Sequence, residues 1–311
     1  MYGMDHDFLI PDFEEIAVKL DKRVKWHGGG DAGHDFQGWR VAVVGGTGGI
    51  GRALSRLLAS RGAHVMVVGQ TFRDAGTPGI EFIKADLSLM HEAQRVTTML
   101  LAETLDLVIF TTGIFAAPER QVTAEGIERD MAVSYLNRLV ILRGIAPRLG
   151  VQRSAAARIK PRVFIVGYPG SGQIGTPDDL NAEKSYKAMS AHMNTVAGNE
   201  MLVLDAVKRY PHATFFGLNP GLIKTNIRDN FLGKDSLKSR LVETLIGWTA
   251  PSADAYAQRI VPLLASRDIE THSGAMFNQK GQAILPSSGL TDAHIRQFLA
   301  ASEALVARAN T

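Results

Sequence analysis

Three glycines with the spacing G-x-x-x-G-x-G follow an apolar run at residues 41–44: Gly45, Gly49 and Gly51. Glycine permits a tight turn, lets backbone N–H groups approach a pyrophosphate without an obstructing Cβ, and allows a helix to pack close to a sheet. A helix that starts at such a turn directs unpaired N–H groups and the positive end of its dipole at the phosphates. The pattern therefore predicts a dinucleotide-binding site, although a glycine-rich turn without a ligand would have the same spacing.

The residues around these glycines predict the elements that position them. Ile50, Leu54 and Leu58 recur at helical spacing, and residues 65–68 form a second apolar strand. Further strands are predicted at residues 81–85, 105–110, 162–166 and 214–218, and further helices at 91–101, 126–142 and 194–209. This alternation predicts a single-domain α/β fold, a Rossmann-type doubly wound parallel sheet with helices on both faces. Because ligands bind beyond the carboxyl ends of such strands, the polar turns there should form one cleft.

The composition is that of an ordinary globular protein, with 311 residues of which 45% are hydrophobic and 21% charged. The formal charge is +3 without a run of Lys or Arg, which argues against nucleic acid and anionic membranes as partners. The absence of cysteine excludes disulfides, thiolate metal sites and a cysteine nucleophile, and it fits a reducing, cytoplasmic location. Aspartates near the first residue argue against a signal peptide, and no apolar run is long enough to span a bilayer.

Residues 1–38 form an N-terminal extension to the main domain, which covers residues 39–311. Within the extension, residues 13–24 predict an amphipathic helix and residues 27–35 a glycine-rich linker. The linker contains histidine and aspartate, but glycine linkers rarely fix ligand geometry, so we assign no metal site. We expect the extension to pack on the body of the protein or on a second subunit.

Five motifs resemble, in order, those of the short-chain dehydrogenase/reductase family, and especially its retinol-dehydrogenase-like branch. They are Val44-Gly45-x-x-x-Gly49-Ile50-Gly51, Asp86-Leu87, Leu105-Asp106-Leu107-Val108-Ile109-Phe110-Thr111-Thr112-Gly113-Ile114, Asp179-Leu180-Asn181-Ala182-Glu183-Lys184-Ser185-Tyr186 and Pro220-Gly221-Leu222-Ile223-Lys224-Thr225. The resemblance covers about residues 39–308 and implies an oxidoreductase that binds NAD or NADP and often forms a homo-oligomer. The cofactor-binding residues assigned on this basis are Gly45, Thr47, Gly48, Gly49, Ile50, Gly51, Arg52, Gln70, Thr71, Arg73, Asp86, Leu87, Thr111, Thr112, Gly113, Pro220, Gly221, Ile223 and Thr225.

The residues after the second strand bear on the choice of cofactor. Members of the family that prefer NAD have an acidic residue there to bind the ribose hydroxyls, whereas this chain has no carboxylate before Asp74. Arg52 and Arg73 could pair with the 2′-phosphate of NADP(H), because guanidinium binds phosphate bidentately. The alternative is that both are solvated surface arginines. We favour NADP(H) over NAD(H).

The catalytic residues of the family are replaced in this chain. The family uses Asn, Ser, Tyr and Lys, and here Ser134 aligns with the asparagine and Tyr168 with the serine. Tyr186 would begin a Y-x-x-x-K motif, but the fifth residue is not lysine. A gapless alignment of residues 179–210 places His192 at the tyrosine position and Val196 at the lysine position. We prefer this alignment because it keeps the flanking loop and the end of the helix in register.

These replacements leave acid–base chemistry available. Imidazole in ordinary peptides titrates at about pH 6.5, so His192 can carry a proton near neutrality. Tyr168 can donate a hydrogen bond to a substrate oxygen, as serine would. Valine, in contrast, can neither bind a ribose hydroxyl nor supply a positive charge. The alternative is that His192 is only a polar helix residue at the edge of the cleft and Tyr168 only an aromatic residue in its wall.

Residues 226–250 lie where the family has its substrate lid. Their apolar side chains predict either a lid over a hydrophobic substrate or a pair of helices packed on the core. Further along, residues 255–266 predict a helix and residues 274–277 resemble the last edge strand of the family. Residues 291–309 predict a final helix capped by Thr291 or Asp292.

Three functions are compatible with these features. An NADP(H)-dependent oxidoreductase would transfer a hydride to or from a carbonyl, an alcohol or an activated double bond of an apolar small molecule, with His192 or Tyr168 handling the proton. A non-redox isomerase, cyclase or lyase would use the same two residues, with the cofactor structural or absent. A binding protein that senses NADP(H) would need neither. The retained cofactor motifs favour the first function, whereas the missing tyrosine and lysine favour the second.

Overall fold

The computed structural model describes residues 18–27, 36–153, 159–223 and 251–309. These residues contain one eight-stranded sheet with the strand order β3-β2-β1-β4-β5-β6-β7-β8, in which only β8 is antiparallel to its neighbour. The strands are β1 Arg40–Val44, β2 His64–Gly69, β3 Ile80–Lys84, β4 Leu107–Phe110, β5 Arg162–Val166, β6 Thr214–Leu218, β7 Met276–Phe277 and β8 Ala283–Ile284. The order reverses between β1 and β4, and a crevice at this point is where such sheets bind ligands.

Helices cover both faces of the sheet. They are α1 Gly49–Ser60, α2 Met90–Met99, α3 Arg129–Met131, α4 Asn137–Ile145, α5 Ala188–Arg209, α6 Ala253–Ala265 and α7 Asp292–Ala309. Alternate side chains of β1 enter two separate cores: Val41 and Val43 pack with α1 and α6, whereas Ala42 and Val44 belong to the core that holds α2, α4, α5 and α7. This two-sided burial explains why the strands are apolar throughout instead of alternating.

The predicted α/β fold is confirmed, with the strands at 41–44, 65–68, 81–85, 162–166 and 214–218 placed to within a residue at each end. Two helices differ from the prediction. The helix expected at 126–142 starts at Arg129 and contains a π-helical turn, Ala132–Leu136, before it continues as α4. The helix expected at 194–209 already begins at Ala188, so it includes His192. π-Helical turns insert an extra residue and often lie at functional sites.

The strand expected at 274–277 is present as β7, but the prediction that it is the last strand of the sheet is wrong, because β8 pairs with its outer side. The predicted helix at 13–24 is also wrong over residues 18–24, the part that the structure describes. This segment runs along β8 instead, with Leu20 bridged antiparallel to Ile284 and the Asp21 N–H donating to the Ala283 carbonyl at 2.9 Å. The Trp26 indole N–H donates to the Gly281 carbonyl at 2.6 Å. The described part of the extension therefore packs on the body of the same chain.

Several predicted features lie outside the described residues. They are residues 13–17 of the expected N-terminal helix, residues 28–35 of the linker, Thr225 and the segment 226–250. Among the helices that are described, none combines the length and the apolar character needed to cross a membrane.

Candidate active site

The turn between β1 and α1 requires glycine for steric reasons. Gly45 has a φ of +91°, and a Cβ at this residue would lie 2.5 Å from the backbone nitrogen of Thr112. A Cβ on Gly51 would overlap Oγ1 of Thr111, so the missing side chain lets α1 approach β4 closely. Gly49 begins α1 with a φ of +48°. The first turn of the helix thus brings its unpaired N–H groups to the crevice without side chains in between.

A cavity of about 430 Å³ lies at this turn, beyond the carboxyl ends of β1 to β4. Most of the residues that the sequence assigned to the cofactor line it: Gly45, Thr47, Gly48, Gly49, Ile50, Gln70, Asp86, Leu87, Thr111, Thr112 and Gly113. Of the other assigned residues that are described, Gly51, Arg52, Thr71 and Arg73 lie outside this lining, and Pro220, Gly221 and Ile223 line a second cavity beside it. The bare backbone of the turn and the polar groups at the strand ends fit a dinucleotide, whose pyrophosphate would lie against the start of α1.

Asp86 is held in a fixed position at the end of β3. Its Oδ1 accepts hydrogen bonds from the Ser88 hydroxyl at 2.7 Å and from the Ser88 backbone N–H at 3.0 Å. Burial opposes ionisation of this carboxyl, but the hydrogen bonds from Ser88 and Gln70 outweigh it and lower the pKa of Asp86. The side chain is therefore an ionised acceptor at the border of the cavity.

The two arginines considered for the 2′-phosphate make different contacts. Arg52 donates to Asp74 from both Nε and Nη2, at 2.8 and 2.7 Å. Arg73 is exposed, and its Nη1 donates to the carbonyl of Thr47 in the glycine turn at 2.9 Å. Arg73 thus lies beside the first cavity, while Arg52 already has a carboxylate partner.

A second cavity of about 370 Å³ adjoins the first, and the two share Ile50 and residues 111–114. Its walls are mainly apolar and include Phe115, Val166, Met189, Met193, Val196, Pro220, Leu222 and Ile223. Besides Thr111 and Thr112, the polar side chains in its lining are those of Ser134, Arg138, Tyr168, Ser171, Gln173, His192, Thr195 and Asn199. An apolar cavity with a few polar groups, next to a dinucleotide cleft, is the expected form of a substrate site.

His192 and Asp130 form a hydrogen-bonded pair in the wall of this second cavity. Nδ1 of His192 lies 2.7 Å from Oδ2 of Asp130, and the side chain of Asp130 is 0% exposed. The other carboxylate oxygen of Asp130 accepts a hydrogen bond from the hydroxyl of Ser134, one helical turn further on. The ring of Phe115 stacks on the imidazole with a centroid separation of 4.3 Å. The imidazole is therefore fixed by a carboxylate on one nitrogen and an aromatic ring on one face.

Arg138 is a buried cation at the inner end of the same cavity. Its Nη1 donates to the Val166 carbonyl at 2.7 Å and to Oδ1 of Asn199 at 2.9 Å. Nη2 donates to the Thr112 carbonyl and Nε to the Thr112 hydroxyl. Burial lowers the pKa of this guanidinium to about 9. Arg138 joins the ends of β4 and β5, and it also supplies a positive charge to a site that has no lysine at residue 196.

The four residues proposed as catalytic from the sequence do not all line the cavity. Ser134, Tyr168 and His192 do, and Val196 follows one turn after His192 in α5. Tyr186 precedes the helix and is not part of the lining; its hydroxyl donates to the Ala117 carbonyl at 2.5 Å. Burial raises the pKa of Tyr186 to about 12. The geometry thus separates Tyr186 from the other three.

The sequence analysis did not identify three residues that the structure places at or next to the second cavity. Asp130 and Arg138 share a helical face with Ser134 at intervals of four residues, and this polar stripe in an otherwise apolar segment was the available signal. Ser171 gave no signal. It is 4% exposed, and within the described part of the chain its Oγ has no hydrogen-bond partner although the residue lines the cavity. A buried hydroxyl in this state is available to a ligand.

A parallel sheet with this strand order, a glycine turn at the point of reversal and two adjoining cavities defines the class of dinucleotide-binding α/β proteins. Residues 40–159 match the family model described as short chain dehydrogenase. The chain belongs to the short-chain dehydrogenase/reductase family, whose members are oxidoreductases that bind NAD or NADP.

Relatives and solved structures agree with this membership. An uncharacterized oxidoreductase of Saccharomyces cerevisiae is 53% identical over 295 residues, covering 94% of this chain and 95% of that protein. Retinol dehydrogenase 12 of Bos taurus is 26% identical over 226 residues, covering 67% of this chain and 70% of that protein. A crystal structure of an uncharacterized protein from Mycobacterium paratuberculosis has the same fold, with a TM-score of 0.64 at 19% identity, covering 88% of this chain and 95% of that one. A short-chain dehydrogenase/reductase from Serratia marcescens gives 0.57 at 20% identity, covering 80% and 99%.

Proposed function

We propose that this protein is an NADP(H)-dependent oxidoreductase that acts on a carbonyl, an alcohol or an activated double bond of an apolar small molecule. The observation that carries the proposal is the continuity of the two cavities, which share residues 111–114. A nicotinamide bound at this border would supply or accept the hydride directly beside the substrate. Short distance and exclusion of water both favour hydride transfer there.

In the proposed reaction, His192 accepts or donates the proton. When an alcohol is oxidised, the hydride leaves the carbinol carbon and Nε2 of His192 accepts the hydroxyl proton. When a carbonyl is reduced, protonated His192 returns that proton to the oxygen. Tyr168 and Ser171 line the same cavity and can donate hydrogen bonds to the oxygen as its charge develops.

The cavity walls support an apolar substrate. Met189 and Met193 lie on one face of α5 and line the cavity together with Phe115 and Leu222. Methionine adapts its shape to irregular apolar groups, so this wall suits substrates with a bulky hydrocarbon body. The polar groups would then contact a single oxygen at one end of the substrate.

Two features support NADP(H) as the cofactor. Gln70 lines the cavity at the end of β2, where an acidic residue would select the ribose hydroxyls of NAD. Arg73 lies beside the glycine turn, within reach of a phosphate on the same ribose. We also propose a cytoplasmic location for the enzyme, since a chain without cysteine suits a reducing compartment.

The first test is a titration with NADPH and with NADH, followed by the fluorescence of the reduced nicotinamide. NADPH should bind more tightly than NADH, and Gly49→Trp should abolish binding because its side chain would fill the turn. Gly126→Trp is a matched control, because Gly126 also has a positive φ, of +74°, but lies in an exposed turn where a Cβ would meet nothing within 4 Å. Binding of neither cofactor by the wild-type protein would overturn the proposal.

Activity is tested by following the absorbance of the reduced nicotinamide with a panel of apolar ketones, aldehydes and alcohols. We expect a substrate-dependent change that His192→Gln lowers by a factor of about 10² or more, the usual contribution of a general acid or base. Absorbance that stays constant with every substrate, despite cofactor binding, would exclude the redox reaction for that panel.

A non-redox enzyme is the second candidate, and the His192–Asp130 pair is the observation that favours it. A histidine held by a buried carboxylate can move a proton between two carbons without any hydride transfer. An enone or other activated substrate that is isomerised without cofactor, and without a change in nicotinamide absorbance, would support this candidate over the oxidoreductase.

A further inference from the structure

Asp130 is connected to the cavity only through two residues that line it, His192 and Ser134. Its carboxylate is fully enclosed, it contacts Nδ1 of His192 at 2.7 Å, and it does not line the cavity itself. We propose that Asp130 is a positioning residue that keeps the proton of neutral His192 on Nδ1, so that Nε2 offers its lone pair to the substrate. The identity of the reaction rests on the proposed function, whereas the tautomer of His192 does not.

The carboxylate is fixed before it meets the imidazole. Oδ1 of Asp130 accepts the hydrogen bond from the Ser134 hydroxyl, and Ser134 in turn accepts the backbone N–H of Ile114 at 3.0 Å. The backbone N–H of Asp130 donates to the carboxyl of Glu128 at 3.1 Å, which caps the start of α3. Both the side chain and the backbone of Asp130 are therefore held, and only Oδ2 remains for His192.

The two nitrogens of the imidazole have different surroundings. A carboxylate accepts but does not donate, so Oδ2 of Asp130 requires a proton on Nδ1. Among the hydrogen bonds of the described residues, none involves Nε2, and His192 lines the cavity. Stacking on Phe115 restricts rotation of the ring. The lone pair of Nε2 is thereby left for a proton from the substrate.

Charge around the pair favours this role. When Nε2 accepts the substrate proton, the imidazolium forms next to the carboxylate of Asp130, which stabilises the positive charge. Three further ionisable groups interact electrostatically with Asp130: the carboxyl of Glu128, the phenol of Tyr186 and the guanidinium of Arg138. Arg138 contributes a positive charge that attracts the carboxylate of Asp130.

Asp130→Asn distinguishes this role from simple packing. The Ser134 hydroxyl also lies 3.2 Å from the Ile114 carbonyl, so the amide can take two orientations. When the amide oxygen accepts from the Ser134 hydroxyl, the amide NH₂ faces Nδ1 and forces the proton of His192 onto Nε2. The shape of the side chain is retained, but the lone pair that faces the substrate is lost. We expect kcat to fall about 10²- to 10⁴-fold, the range for a lost general base, with KM and cofactor affinity unchanged.

The direct readout is ¹⁵N NMR of the histidine ring nitrogens in the protein without substrate, with His192→Gln used for assignment. Wild-type His192 should show the Nδ1–H tautomer, and Asp130→Asn the Nε2–H tautomer. His212 is an internal reference for Nε2–H, because its Nε2 lies 2.9 Å from the Ala146 carbonyl, which can only accept. A wild-type His192 that matches His212 would overturn the proposal, and this result does not depend on the folding of any Asp130 variant.

The two proposals fail in different ways. A protein with no turnover but with the Nδ1–H tautomer would contradict the redox proposal and leave the role of Asp130 supported. Turnover that is normal in a folded Asp130→Asn protein would contradict the role of Asp130 and leave the redox proposal supported.

Discussion

Two nitrogens of Arg52 donate hydrogen bonds to the carboxylate of Asp74, and the shortest contacts are 2.8 Å from Nε and 2.7 Å from Nη2. The arginine that directly follows the glycine turn is thus already paired with a carboxylate. These hydrogen bonds lower the pKa of Asp74 more than burial raises it, so the carboxylate stays ionised. A 2′-phosphate would have to compete with Asp74 for this guanidinium.

Asp74→Asn should therefore strengthen binding of NADP(H) while leaving NAD(H) nearly unchanged. Removing the negative charge frees Arg52 for the phosphate and lowers repulsion, and we expect an effect on the order of tenfold in Kd, equivalent to about 1.4 kcal/mol. Fluorescence titration with both reduced cofactors measures the ratio. Arg52→Gln is the companion variant and should weaken NADP(H) binding. Equal changes for the two cofactors would place the 2′-phosphate away from Arg52.

Ser171→Ala should affect stability and activity in opposite directions. The Oγ of Ser171 is buried without a partner among the described residues, so its removal should raise the free energy of unfolding by about 1 kcal/mol. If the hydroxyl binds the substrate oxygen, kcat/KM should fall about tenfold. Urea unfolding and steady-state kinetics measure the two effects. Ser190→Ala, on the exposed side of α5, is the control and should change neither stability nor activity. If Ser171→Ala and the wild type had the same stability, the hydroxyl of Ser171 would have a hydrogen-bond partner in solution.

Arg138→Met should destabilise the protein by about 3 kcal/mol. Methionine fills similar space, but it leaves the carbonyls of Thr112 and Val166 and the amide of Asn199 without their donor. Arg138→Lys should restore only part of the loss, since an ammonium group cannot reproduce the planar fork. Denaturant midpoints provide the measurement. The exposed Arg296→Met in α7 should stay within about 0.5 kcal/mol of wild type, and a similarly small effect at Arg138 would contradict the role inferred from its contacts.

Glu200 predicts a pH dependence of stability. Burial raises the pKa of this carboxyl above its ordinary value of 4.5, although Ser287 and Gly170 donate hydrogen bonds to it. The folded state therefore binds this proton more tightly than the unfolded chain, so the stability it contributes is complete below pH 4.5 and is lost as pH rises through the raised pKa. Glu200→Gln lacks this titration.

The measurement is urea unfolding of wild type and Glu200→Gln over a series of pH values from 4.5 upward. As the pH increases, the unfolding free energy of the wild type should fall relative to that of Glu200→Gln. Glu81→Gln, on the exposed side of β3, is the control and should follow the wild type. A difference that stays constant with pH would show that Glu200 does not titrate in this range.

The sequence was sufficient for strands β1 to β6 and the glycine turn because both depend on local patterns. The apolar strands and Gly45, whose left-handed backbone and close contact with Thr112 exclude a side chain, are visible in the residues themselves. The π-helical turn at Ala132–Leu136 was not visible, because an extra residue per turn leaves no distinct pattern in one sequence. The edge strand β8 is two residues long and was too short to detect.

The candidate active site was predictable only in part. The gapless alignment brought His192 and Val196 to the same site as Tyr168, and all three line one cavity. Asp130 was missed because its partner is 62 residues away in the chain, and no spacing rule connects a carboxylate in one helix to an imidazole in another. Contacts of this kind follow from the packing of α3 against α5 and not from either segment alone.

The segment along β8 closes one side of the sheet to other chains. The carbonyl of Lys19 and the N–H of Asp21 occupy backbone groups of Leu285 and Ala283 that would otherwise be free to pair. Exposed strands are templates for uncontrolled association, and covering them is a common protection. A second copy of the protein cannot extend the sheet at β8 while this segment is in place. Any oligomer that keeps it must therefore form through another surface of the protein.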